Sequence, residues 1–273
     1  MDKTKLLDPN FKSKSPPDSR DHIANLPKAA TLPPSVDLKP DVEEVEDQLN
    51  YNSCTANAGC SAMELLYNSV GIKKDFSRMF LYFYVRMLGN VKGDNGAYPR
   101  DIGKALANYG TCYESTWDYV SKNLNTEPND IAKKEALGYK IVSYAKLDNN
   151  LDAIKNSLAQ GIPVLMAMTV HEDFFNVSGN WKKNSWSITG KVEGGHEVLV
   201  IGYDDASKRL LVENSWGKNW GDGGFFGFPY EYLPKVADEF WVIVPNLNKA
   251  LPKPAPVAGD KTLFGWLSSL LKR

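Results

Sequence analysis

Five short, strongly apolar segments crowd the second half of this chain: "GIPVLMAMTV" (161–170), "HEVLVIGYD" (196–204), "RLLVENSW" (209–216), "FFGFPYEYL" (225–233) and "EFWVIVP" (239–245). They are rich in β-branched and aromatic residues, and the polar "DASK" at 205–208 turns the second into the third, so they read as strands. The first half follows another period. From Cys54 to Val70 apolar or small residues fall at 56, 59, 60, 63, 66, 67 and 70, a helical spacing. Asn52 or Ser53 can cap that helix, and Gly71 suits its stop. Further helices are predicted at 75–88, at Pro99–Tyr109 before Gly110, and at 149–160. Helices first and strands afterwards, without an internal repeat, predict an α+β fold.

Composition narrows the function. The 273 residues suffice for one large domain or two modest ones. A net charge of -1 argues against nucleic acid as the main partner. No apolar run approaches the ~20 residues of a membrane span, and membrane contact is not expected. The opening "MDKTKLLDPNFKSKSPPDSR" lacks the apolar core of a secretory signal, which leaves other export routes and the compartment open. Cys54, Cys60 and Cys112 allow at most one disulfide. No C-x-x-C pair exists and His22, His171 and His196 lie far apart in sequence, so no metal site is expected. No organic cofactor is expected either.

A free cysteine at the mouth of a helix is a candidate nucleophile. The helix dipole at Cys54 favours thiolate, the reactive form. Such a nucleophile needs a histidine to exchange its proton, a group to orient the imidazole, and donors for the developing oxyanion. His196 opens a strand after "EGG" (193–195), and Asn214 ends the next one in "ENSWG". An asparagine there can accept from the imidazole N–H without adding charge, and Trp216 can cover that bond. Gln48, six residues before Cys54, can aim its amide at the oxyanion bound by the Cys54 N–H. Cys60 and Cys112 read as core thiols, and His171 as structural.

These residues, in this order, resemble the papain family of cysteine peptidases. The resemblance runs from Leu32 to near Asn246. "LPPSVDL" (32–38) resembles the family's mature N-terminus, "DNGAYPRDIGKALANYG" (94–110) its substrate-binding segment and following helix, and "NSWGKNWGDGGFF" (214–226) its asparagine–tryptophan motif. His196 lies 142 residues past Cys54, within the roughly 130–150 of a papain-type cysteine. The resemblance assigns Cys54, His196, Asn214 and Gln48 as nucleophile, base, orienter and oxyanion glutamine. It implies that Gly96 and Ala97 pair with an extended peptide, with Gly195 and Trp216 also lining the substrate site. It gives the pocket for the substrate's second residue to Tyr98, Pro99, Ala167 and Gly194, with Asp238 or Glu239 near its floor. The departures mark a divergent, bacterial-type member: Tyr51 stands for a disulfide cysteine, Asn52 for a glycine, Thr55 for a tryptophan and Ala97 for a glycine.

The resemblance implies a papain-like fold of two subdomains, one helical and one an antiparallel, β-barrel-like unit, with the active site in the cleft between them. It implies a cysteine endopeptidase acting on proteins or peptides through a thioacyl-enzyme. A non-cleaving peptide-binding module and an acyl transferase are the alternatives. The expected organisation is an arm at 1–31, a peptidase domain at 32–246, and a Pro-rich linker with an amphipathic segment at 247–273. The arm occupies the place of a short prosegment, which would lie in the cleft and make the protein a zymogen.

Overall fold

The structure, a computed structural model, describes residues 14–29 and 31–247. The predicted apolar face of the C-terminal segment (Leu263, Trp266, Leu267, Leu270 and Leu271) lies outside the described residues.

Three helices build one side of the molecule. α1 (Cys54–Asn68), α2 (Arg78–Leu88) and α3 (Pro99–Asn108) fall where the sequence period places them, with slightly shorter ends. α1 is buried nearly all round and is the centre of this layer, a solution its small residues permit. A side chain at Gly59 would put a Cβ 2.7 Å from Ile102 and 3.0 Å from Leu81, so glycine lets α1 approach α2 and α3 closely. Pro99 opens α3, its missing N–H costing nothing in the first turn. Gly110 ends it with φ +74, where a Cβ would meet the Ala136 carbonyl at 2.0 Å. Cys60 and Cys112 are buried in this core as free thiols. Burying each Leu, Met or Phe side chain here contributes about 1.5–3 kcal/mol.

The second core lies on an antiparallel sheet. Its strands are β1 (Ser35–Asp37), β2 (Ile141–Lys146), β3 (Val164–His171), β4 (Val192–Asp204), β5 (Arg209–Glu213), β6 (Phe225–Pro229) and β7 (Ala237–Pro245). The order is β2-β7-β3-β4-β5-β6, with β1 paired to β4. The sheet is open, with β2 and β6 at its ends, and does not close into the expected barrel. Residues 22–24 occupy the outer edge of β2 instead: Ala24 N–H donates to the Lys146 carbonyl and Lys146 N–H to that of His22, both at 2.7 Å. α4 (Asp130–Ala136), α5 (Leu151–Ala159) and α6 (Leu233–Val236) complete the described helices. β1, β2, α4 and α6 have weak sequence signals and were not predicted.

Registers in the sheet set the site. Met168 of β3 faces His196 of β4, and Ala167 faces Glu197 on one side and Glu239 of β7 on the other. The strand predicted at 209–216 stops at Glu213. Asn214 leaves the β4 ladder, and Trp216 makes an antiparallel bridge to Asp47.

Candidate active site

Cys54 is the first residue of α1, with Ser53 as its N-cap. The Ser53 hydroxyl caps no helical N–H; it lies 2.5 Å from the Tyr119 hydroxyl. Asn57, one turn on, holds Ser53 through its amide, donating to the Ser53 carbonyl and hydroxyl at 3.0 Å each. The start of α1 abuts β4, and the backbone N–H of Glu197 donates to the Cys54 sulfur. Glu197 follows His196 directly, so the thiol and the imidazole are set on facing elements.

The ring of His196 is fully buried. Its Nε2 lies 2.7 Å from Asn214 Oδ1, which also accepts the Ser215 N–H at 2.9 Å. Because Oδ1 only accepts, Nε2 carries the proton, and the neutral tautomer leaves Nδ1 as the basic nitrogen. Trp216 lies over the imidazole at 5.0 Å between centroids and 30° between planes, and stacks on Phe175 at 5.4 Å. Water is thereby kept from the His196–Asn214 bond.

Gln48 is fully buried and braced on three sides. Its backbone N–H donates to the Ser215 carbonyl at 2.8 Å. Its Oε1 accepts the Ser215 hydroxyl at 2.7 Å, and one amide hydrogen goes to the Tyr51 carbonyl at 2.7 Å. Pairing of 46–48 with 215–217 therefore ties Gln48 to the strand end that carries Asn214. The amide keeps a second hydrogen to offer.

Burial pushes the Cys54 thiol up to about 12, against the pull of the Glu197, Thr55 and Cys54 N–H groups. The sequence expects the helix terminus to favour thiolate. In the folded chain desolvation outweighs it, because a lone sulfur anion in a site only 4% exposed loses more hydration than three N–H groups return.

The remaining expected residues fall at the entrance to α3 and on two paired strands. Gly96 and Ala97 are buried just before α3, Tyr98 is its N-cap and Pro99 its first residue. Ala167, Gly194 and Gly195 lie on β3 and β4, with Gly195 opposite Thr169. Of the two floor candidates, Glu239 is the one opposite Ala167. It is 2% exposed and pairs with Lys146 at 3.1 Å, whereas Asp238 accepts from Thr169. Between Arg100 and Glu239 sits Ser15 of the arm: its N–H donates to Glu239 Oε2 at 2.8 Å, and its hydroxyl accepts the Arg100 N–H at 3.0 Å. Arg100 in turn holds Asp21 through contacts of 2.6 and 2.7 Å, and its guanidinium donates to the Pro16 carbonyl. His171 is structural, its Nδ1 2.8 Å from the Gly190 carbonyl. Among the described residues no cluster of three metal-ligating side chains occurs, and no helix is long and apolar enough to cross a membrane.

Comparison with known proteins places the chain in a family. Residues 32–233 match the profile of the papain family cysteine proteases. The chain belongs to the papain family. An uncharacterized peptidase C1-like protein of Acanthamoeba polyphaga mimivirus is 33% identical over 82% of this chain and 74% of its own length. The cathepsin B-like CP3 of Giardia intestinalis is 28% identical over 72% of this chain and 69% of its own. Among solved structures, xylellain, a cysteine protease from Xylella fastidiosa, superposes with a TM-score of 0.79 and 33% identity, covering 85% of this chain and 94% of that one. The procathepsin B S9 of Trypanosoma congolense shares the fold with a TM-score of 0.72 at 18% identity, covering 89% and 87%. The protein is thus a cysteine peptidase with the papain-like fold.

Several functional neighbours escape sequence reading. Ser215, Tyr119 and Glu197 contact Gln48, Ser53 and Cys54 across 66 to 167 residues, or through backbone N–H groups that carry no side-chain signature.

Proposed function

We propose that this papain-family peptidase hydrolyses peptide bonds within proteins through a Cys54 thioacyl-enzyme. His196 acts as base and acid, Asn214 orients it, and Gln48 serves with the Cys54 N–H as the oxyanion donors. The observation that carries this reading is the 2.7 Å His196–Asn214 bond, which leaves Nδ1 as the basic nitrogen on a strand packed against the helix that begins at Cys54. The raised thiol fits an ion-pair mechanism. Moving the thiol proton to Nδ1 creates thiolate and imidazolium together, so no lone charge is buried. The sulfur then attacks the scissile carbonyl, and the oxygen's new charge meets Gln48 and the Cys54 N–H. As the C–N bond breaks, the imidazolium gives its proton to the leaving amine. Water, deprotonated by His196, then cleaves the thioester and frees the acid and the thiol. Treatment with an epoxysuccinyl peptide, followed by mass mapping, tests the assembled site. Stoichiometric labelling of Cys54 is expected; absence of labelling, with the arm removed, would refute it.

The arm fits a blocking role in the same reading. Ser15 fills the space between the start of α3 and Glu239, which the resemblance gives to the substrate's second residue. A segment tethered to the domain acts at high effective concentration, so a few contacts suffice to exclude substrate.

A further inference from the structure

We propose that Asp94 is a positioning residue for the oxyanion hole, a hydrogen-bonded staple between the loop that carries the oxyanion donors and the segment that receives the substrate backbone. The proposal rests on the reading of Gln48 and the Cys54 N–H as those donors. Both sit at the ends of one loop, residues 48–54. Within that loop the backbone makes a single turn bond, Tyr51 N–H to the Gln48 carbonyl at 3.1 Å, and Leu49 takes a φ of 54, unfavourable for a side-chain-bearing residue. Its geometry is therefore imposed from outside. Asp94 does this from one side: its Oδ1 accepts the Asn52 N–H at 3.0 Å, and its carbonyl accepts the Asn52 amide at 2.7 Å. The same Oδ1 accepts the Tyr82 hydroxyl at 2.7 Å, and that hydroxyl accepts the Gly96 N–H at 3.2 Å. One carboxylate oxygen thus joins three segments: Asn52, two residues before Cys54; Gly96, at the expected peptide-binding edge; and α2, through Tyr82.

The anchor itself is rigid. Tyr82 is fully buried on α2, and the Arg86 guanidinium lies 4.3 Å from its ring centroid. Arg86 is fixed in turn by the Asn125 side chain at 2.9 Å and by the carbonyls of Gly93 and Leu124. Charge-assisted bonds to a carboxylate are roughly twice as strong as neutral ones, which suits a staple made without a covalent link. The chain has no disulfide to do the same work, since all three cysteines are free and buried. A loop set by hydrogen bonds keeps its geometry under reducing conditions.

The test separates oxyanion stabilisation from general folding. In Asp94→Ala the donors lose their register, so kcat for a peptide substrate is expected to fall about 10–100-fold with KM within about threefold. Affinity for a peptide aldehyde, whose oxygen occupies the oxyanion position once Cys54 has added, is expected to fall by a similar factor. Alkylation of Cys54 by iodoacetamide forms no oxyanion and is expected to stay within about twofold. Asp94→Asn keeps the accepting oxygen and is expected to retain most of the activity. If Asp94→Ala is too unstable to assay, Tyr82→Phe removes one hydroxyl at constant shape, with an expected loss of about 3–10-fold in kcat. Wild-type turnover and aldehyde affinity in the assayed variant would overturn the proposal. So would an equal fall in alkylation and turnover, which marks a merely structural role. Gln48→Ala, assayed alongside, tells two failures apart: full activity there overturns the oxyanion reading and this proposal with it, whereas lost activity there beside an unaffected Asp94→Ala overturns the staple alone.

Discussion

Replacing Glu213 by glutamine should change how the stability of this enzyme depends on pH. Glu213 ends β5 one residue before Asn214, is 4% exposed, and has one hydrogen bond, from the Ser61 hydroxyl to its Oε1 at 3.1 Å. Burial, with nearby Glu46 adding to it, pushes the carboxyl from an ordinary 4.5 up to about 8. The folded chain therefore keeps this proton to about pH 8, while the unfolded chain releases it near 4.5. A raised acid binds more protons when folded, so its contribution is fully present below pH 4.5 and is lost as pH climbs toward 8. The interval of about 3.5 pH units, at about 1.4 kcal/mol each, amounts to about 5 kcal/mol. Glu213→Gln keeps the shape and the Ser61 bond and removes the titration. Urea unfolding of both forms on a Cys54→Ala background, which prevents self-digestion, measures the effect from pH 5 to pH 8. The variant should gain several kcal/mol relative to its parent across that range, at most about 4 of the full 5. Parallel stability curves would refute the reasoning and show that Glu213 ionises in the folded state without penalty.

Gln48→Ala should lower kcat by about 10²–10³ while the His196–Asn214 pair stays intact, measured as steady-state turnover of a fluorogenic peptide. Removing residues 1–31 should raise that turnover and speed alkylation of Cys54. Arg100→Ala, which breaks the contacts to Asp21 and Pro16, should reproduce part of the gain in the full chain; equal rates in all three would exclude a blocking arm. Once the arm is removed, a peptide library should show bulky apolar residues accepted at the second position, and arginine accepted through Glu239. Glu239→Ala should abolish the arginine preference alone, and rejection of both classes by the parent would sink the pocket assignment.

The sequence by itself determined the elements with strong patterns. The apolar runs at 161–170 and 196–204 could only be buried strands, and the small-residue period after Ser53 could only be a buried helix. The four residues proposed for catalysis were also legible, because each sits in a local motif at a recognisable spacing. The short β1 and the edge strand β2 were not, since neither carries a continuous apolar face. The open sheet was equally invisible, as was the covering of the β2 edge by residues 22–24, which carry no strand pattern. The same limit applies within the site. The state of the Cys54 thiol turns on burial, which a helix-dipole argument from sequence leaves out. The bonds that brace Gln48, from Ser215 at 167 residues' separation and Tyr119 at 71, exist because strand pairing and helix packing bring those segments together. Local pattern marks the residues proposed to carry the chemistry. Their distances and protonation are set by desolvation and by contacts between remote segments, and those arise only when the chain has closed on itself.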